Sequence, residues 1–116
     1  MALLILMTPK GVTTQLPIAE PVMSIGRSAQ NHVVLASARI SRFHASLSTE
    51  GPAVVLRDLD SRNGTFLNGH RLRQQQVLLH GDNIDIAGYW MRFLALEQET
   101  VGEDALRRIS ERGPLI

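Results

Sequence analysis

The sequence predicts an all-β sandwich or barrel, and three observations carry that reading. Turn signals recur about every 8 to 12 residues, the segments between them alternate apolar with polar side chains, and an Asn-Gly dipeptide joins two strand-like arms. The chain has 116 residues, which is room for one domain.

Taken in order, residues 2–7 form an apolar opening strand, and residues 17–25 alternate loosely up to the break at Gly26. Ala45, Leu47 and Thr49 alternate with His44, Ser46 and Ser48, the period-two pattern of a half-buried strand. Residues 53–59 make the next strand, after the turn dipeptide Gly51-Pro52. Residues 65–67 and 70–72 flank Asn68-Gly69, a pairing that favours a tight hairpin because both turn residues tolerate positive φ. Residues 77–79, 83–86 and 89–96 continue the series, separated by His80-Gly81-Asp82 and Ala87-Gly88. Trp90 and Phe93 read as core or face residues. Only residues 102–112 show a helical pattern, with Ala105, Leu106 and Ile109 on one face and Gly113-Pro114 as a stop. The expected organisation is a β domain over residues 1–97 and an acidic tail or linker over residues 98–116.

Composition removes whole classes of function. With 44% hydrophobic and 20% charged residues the chain has the makeup of a globular protein, not a disordered one. The absence of cysteine excludes disulfide scaffolds, cysteine-ligated metals and thiol catalysis. The longest apolar run is too short to span a membrane and lacks a preceding basic residue, so a cytoplasmic protein is expected. No zinc-protease, nucleophile-elbow or phosphate-loop motif occurs, so neither an enzyme nor a cofactor or metal site is expected. Aromatic residues total 4% and do not interleave with basic loops, which argues against nucleic-acid binding.

Charge is informative by segment. Residues 26–73 carry seven arginines against Glu50, Asp58 and Asp60, a local surplus of +4, while residues 97–116 are net −2. Eleven of the twelve lysines and arginines are arginine, whose planar fork matches two oxygens of a phosphate. Four of them fall in three polar loops: Arg27 beside Gly26 and Ser28, Arg39 and Arg42 on either side of Ser41, and Arg62 between Ser61 and Asn63. Loops on a rigid sheet are where binding sites usually lie, and this chemistry suits a small dianion.

The ordered set Ile25-Gly26-Arg27-Ser28, Asn31, Ser41-Arg42-Phe43-His44, Asp58-Leu59, Ser61, Asn63-Gly64-Thr65, Asn68-Gly69 and Gly81-Asp82 resembles a forkhead-associated domain from about residue 3 to residue 97. The resemblance implies an FHA-type β-sandwich of about eleven strands. Its loops would bind a phosphothreonine, made by a Ser/Thr kinase in a partner protein. Carried over residue by residue, Arg27 would pair with the phosphate, Ser41 would donate its hydroxyl to a phosphate oxygen, and Asn63 would bond the peptide backbone. Arg42 would add a second cation, and Arg39 would favour an acidic residue after the phosphothreonine. Gly26, His44, Gly64, Thr65, Asn68 and Gly69 would hold the scaffold.

The sequence departs from the family at Arg62, a sixth candidate binding residue, where many members have a small hydroxyl residue and a long cation would add an anion contact or extend into water, and at His32 and Ser37, which replace acids. Ala87 stands where a glycine is frequent. Thr100, in the acidic tail, is a candidate kinase target that would enter the pocket of its own or a neighbouring molecule and so give self-association. The alternative function is a phosphate-independent interaction module that uses a sheet face.

Overall fold

The computed structural model of the chain describes residues 2–96. The tail beyond residue 97, its helical pattern over 102–112 and Thr100 lie outside the described residues. Eleven strands run in chain order: β1 (Ala2–Met7), β2 (Thr13–Pro17), β3 (Val22–Gly26), β4 (Val33–Val34), β5 (Ala45–Glu50), β6 (Ala53–Asp58), β7 (Phe66–Leu67), β8 (His70–Arg71), β9 (Gln76–Val77), β10 (Asn83–Ile86) and β11 (Tyr89–Ala95). They form one sheet in the order β2-β1-β11-β10-β7-β8 and another in the order β4-β3-β5-β6-β9. The architecture is a sandwich of two open sheets.

Alternation explains the core. Leu4 and Leu6 of β1, Met91 and Phe93 of β11, and Ile84 and Ile86 of β10 point inward, meeting Met23, Ile25, Leu47, Val54 and Leu56 of the other sheet. Each such side chain, fully buried, contributes about 1.5–3 kcal/mol relative to exposure. On the opposite face of β11, Trp90 is 54% exposed, so it is a face residue while Phe93 is core.

Three readings of the alternation require correction. Residues 17–25 are not one strand: Pro17 ends β2 in the first sheet and Val22 begins β3 in the second. The loose alternation there spans a crossing between sheets, and Pro17 and Pro21 lack the N–H a continuous ladder needs. His44, grouped by alternation with the outward Ser46 and Ser48, is fully buried, because it precedes β5 and turns under the loops. The strand expected over residues 77–79 is β9 at Gln76–Val77, with Leu78 buried beside it.

Strand register positions the polar loops. Ile25 of β3 pairs with Ala45 of β5, and Ala45 pairs with Asp58 of β6, so the end of β3, the start of β5 and the end of β6 lie in one row. The loops 27–32, 35–44 and 59–65 therefore emerge side by side from one end of the second sheet.

Two hairpins close with two-residue turns that hold both central residues at positive φ. Leu67 pairs with His70 across Asn68 and Gly69, whose φ values are 51° and 87°. Ile86 pairs with Tyr89 across Ala87 and Gly88, at 49° and 90°. Positive φ at both central residues is the type I′ requirement, and it costs a Cβ-bearing residue roughly 1–2 kcal/mol. Asn68 offsets that cost by donating from Nδ2 to Asp82 Oδ1 at 3.0 Å and accepting from Asn83 N–H at 2.9 Å; Ala87 has no side chain able to do so. Ala87→Gly is accordingly expected to raise stability by about 1 kcal/mol in urea unfolding, and an unchanged or lower midpoint would contradict the strain.

Candidate functional site

Construction of the site begins at Gly26. A Cβ there would collide with the carbonyl of Arg42 and come within 2.9 Å of the Asn31 amide nitrogen, so only glycine allows the first two loops to touch. The contact continues as a short ladder: Arg27 N–H donates to the Ser41 carbonyl at 3.0 Å and Ser28 N–H to the Arg42 carbonyl at 3.1 Å. Asn31, 6% exposed, clamps it by donating from Nδ2 to the carbonyls of Ser28 and Arg42 at 2.8 and 2.7 Å.

His44 joins the second loop to the third. The Ser41 N–H donates to Nδ1 at 3.1 Å, and Nε2 lies 2.9 Å from the Gly64 carbonyl. Since an N–H can only donate and a carbonyl can only accept, the ring is the Nε2–H tautomer. Its backbone also bridges, with its N–H on the Ile25 carbonyl at 2.8 Å and its carbonyl accepting from Leu59 N–H at 2.9 Å.

Asp58 organises the third loop. Its Oδ1 accepts from the hydroxyls of Ser61 and Thr65, each at 2.6 Å, and Oδ2 accepts from Ser61 N–H at 3.0 Å. Ser61 Oγ in turn accepts from Gly64 N–H at 3.0 Å. Burial acts to raise the Asp58 carboxyl, but the Ser61 and Thr65 hydroxyls, the Ser61 N–H and the nearby His44 together hold it below the ordinary value of 3.8.

Above these braces lies a cleft of about 190 Å³ lined by Arg27, Arg39, Ser41, Arg42 and Arg62, completed by Ala38 and Ile40. Among the described residues no carboxylate lines it. Arg27 donates from Nε to the Ile40 carbonyl at 3.1 Å, which fixes the guanidinium and leaves its two terminal nitrogens to a ligand. Ser41 Oγ accepts from Arg62 N–H at 3.1 Å, and Asn63 donates from Nδ2 to the Arg39 carbonyl at 2.6 Å. The structure thus gathers five of the six expected binding residues around one cleft, with Asn63 bonded to its edge. Gly64 and Thr65 lie in the braced third loop, whereas Asn68 and Gly69 sit in the β7–β8 turn and tie it to β10, away from the cleft. Among the described residues there is no group of three or more His, Asp or Glu suited to a metal, and no helix is long and apolar enough to cross a membrane.

Asp58, Asn31 and the Ile40 carbonyl are the contributors that sequence reasoning left without roles. Asp58 had a detectable signal: an Asp three residues before a Ser is the spacing at which a carboxylate accepts that residue's N–H.

Two outcomes test the bracing. His44→Ala removes a buried ring and strands a buried N–H and C=O, and is expected to cost about 3–5 kcal/mol in urea unfolding; a loss under about 1 kcal/mol would contradict the role. The depressed Asp58 carboxyl contributes stability above the unfolded-state value of about 3.9, a contribution lost as pH falls through the lower folded value. Asp58→Asn is therefore expected to be less stable than the wild type by about 1.5–3 kcal/mol at pH 7, with the difference shrinking on acidification; a constant difference would contradict it.

Comparison with known proteins agrees with this geometry. The sequence profile of the FHA domain matches residues 23–87. The transcriptional regulatory protein EmbR of Mycobacterium tuberculosis is 36% identical over 77 residues, which cover 66% of this chain and 20% of EmbR. The chain thus spans about a fifth of that relative's length. The structure of M. tuberculosis EmbR in complex with a low-affinity phosphopeptide superposes with a TM-score of 0.69 at 32% identity, covering 79% of this chain and 24% of that one. A structure from an analysis of phosphothreonine-dependent FHA domain interactions gives a TM-score of 0.67 at 28% identity, covering 81% of this chain and 97% of that one. With the profile covering more than half of its residues and the sandwich and loops in place, this chain belongs to the FHA domain family.

Proposed function

We propose that this protein binds phosphothreonine-containing segments of partner proteins and works as a non-catalytic adaptor read by a Ser/Thr kinase pathway. The observation that carries the reading is the cleft lined by four arginines and Ser41, with no carboxylate among the described residues that line it. A phosphothreonine brings −1.5 to −2 charge and three acceptor oxygens, each charge-assisted bond being worth about 1.5–3 kcal/mol. Arg27, oriented by the Ile40 carbonyl, pairs with the phosphate; Ser41 rotates its hydroxyl proton toward a phosphate oxygen while still accepting from Arg62 N–H. Arg42 adds a second cation, and Asn63, anchored on the Arg39 carbonyl, pairs with the peptide backbone through its remaining amide groups. Arg39 and Arg62 meet further negative charge on the peptide. We read the adaptor as acting in the cytoplasm, where protein kinases leave their products.

Arg27→Ala is expected to weaken phosphothreonine-peptide binding by about 2–5 kcal/mol in fluorescence anisotropy, with the unfolding midpoint nearly unchanged, because the charge partner is lost while the main-chain ladder remains. Equal affinity in the folded variant, or equal affinity of the wild type for phosphorylated and unphosphorylated peptide, would contradict the reading and favour the sheet face.

A further inference from the structure

Four arginines at one cleft hold more charge than one phosphate can balance. At about −2, a single phosphothreonine leaves roughly two positive charges facing each other, and a neighbouring carboxylate would still leave one. We propose that the cleft is built for a peptide carrying two phosphates, the phosphothreonine and a second phosphorylated side chain close to it in sequence. The inference rests on the phosphothreonine reading above and specifies the ligand class.

The support of the arginines divides them into two pairs. Arg27 and Arg42 belong to the contact between the first and second loops: the Arg27 fork is fixed on the Ile40 carbonyl, and the Arg42 carbonyl is held by Ser28 N–H and Asn31. Arg39 and Arg62 belong to the contact between the second and third loops, made by Asn63 on the Arg39 carbonyl at 2.6 Å and Arg62 N–H on Ser41 Oγ at 3.1 Å. Ser41 is shared between them, so the two anion positions adjoin. The first pair with Ser41 takes the phosphothreonine, and Arg39 with Arg62 takes the second phosphate.

Of the four described arginines outside the cleft, Arg71 and Arg73 lie apart from it, and the other two are served differently. Arg57 donates to Gln75 and Glu50 at 2.8 and 3.0 Å, and Arg92 to Asn83 Oδ1 at 3.2 Å, each meeting a side-chain oxygen of its own chain. The cleft arginines are instead collected where, among the described residues, the lining offers no acidic side chain. Like charges gathered in this way repel, and a second dianion relieves that repulsion where a neutral peptide side chain would not.

The test is fluorescence anisotropy at about 0.15 M salt, where long-range attraction is largely screened. The intact protein is titrated with a singly phosphorylated threonine peptide and with versions bearing a second phosphoserine or a glutamate at successive positions on either side. The expected result is a gain of roughly tenfold or more from the second phosphate at one or two neighbouring spacings, and a smaller one from glutamate. In the Arg39→Gln/Arg62→Gln protein the ratio between doubly and singly phosphorylated peptides is expected to collapse toward one, whatever the absolute affinity. Binding of the singly phosphorylated peptide with no gain at any spacing, or with the same gain at every spacing, overturns the inference while leaving the phosphothreonine reading intact. Displacement by inorganic pyrophosphate at the concentration needed for unlabelled doubly phosphorylated peptide also overturns it, since bare phosphate would then suffice. No binding of any phosphopeptide overturns both readings together.

Discussion

The buried His44 ring is the interaction on which the site depends. Among the described residues it is the one side chain hydrogen-bonded to both the Ser41 main chain and the Gly64 main chain, and its backbone ties the same point to Ile25 and Leu59. A loop exposes backbone polar groups that must be paired, and a loop end without such pairing samples many conformations at about 1–2 kcal/mol of entropy per residue. By accepting on one face and donating on the other, one imidazole pairs groups from two loops and fixes their separation. Ser41 Oγ and the Arg62 main chain then meet as a consequence of that spacing.

The bracing also explains how like charges are kept together. The four arginines of the cleft are exposed, so water and salt screen their mutual repulsion, and their placement is set by the loops that carry them. Beneath them lie the Asn31 clamp, the His44 bridge and the Asp58 cluster, all pairing groups below the charged layer. This braced underlayer presents the arginines together to an incoming phosphate. Preorganised donors bind an anion more strongly than donors that must first be gathered, because the ordering cost was met on folding.

Much of this was legible in the sequence. Asn68-Gly69 announced its hairpin because positive φ at two successive residues is a local demand, independent of the rest of the chain. The arginine, serine and asparagine positions were legible through the resemblance; the four arginines and Ser41 line one cleft, and Asn63 is bonded to Arg39 at its edge. β2 was missed because its residues are mostly exposed and polar, so an edge strand of this kind leaves no alternation to detect. β4 was missed because two residues paired in parallel with β3 carry no periodic signal at all. Alternation alone grouped His44 with the serines for a related reason, since it assigns a face only inside a strand and His44 lies one residue outside it; its loop-holding role was implied by the resemblance instead. The roles of Asp58 and Asn31 depend on loops brought together by the register of three strands, which no local pattern encodes.

The most direct test of the account is to titrate the isotope-labelled protein with a phosphothreonine peptide and follow its amide signals by NMR. Changes concentrated at Arg27, Ser28, Ser41, Arg42, Arg62 and Asn63, with the outer sheet face around Trp90 silent, are what a braced three-loop phosphate site predicts. Changes centred on Met7, Trp90 and Arg92 instead, with the loop amides unmoved, would contradict it and make the six-stranded sheet the binding surface.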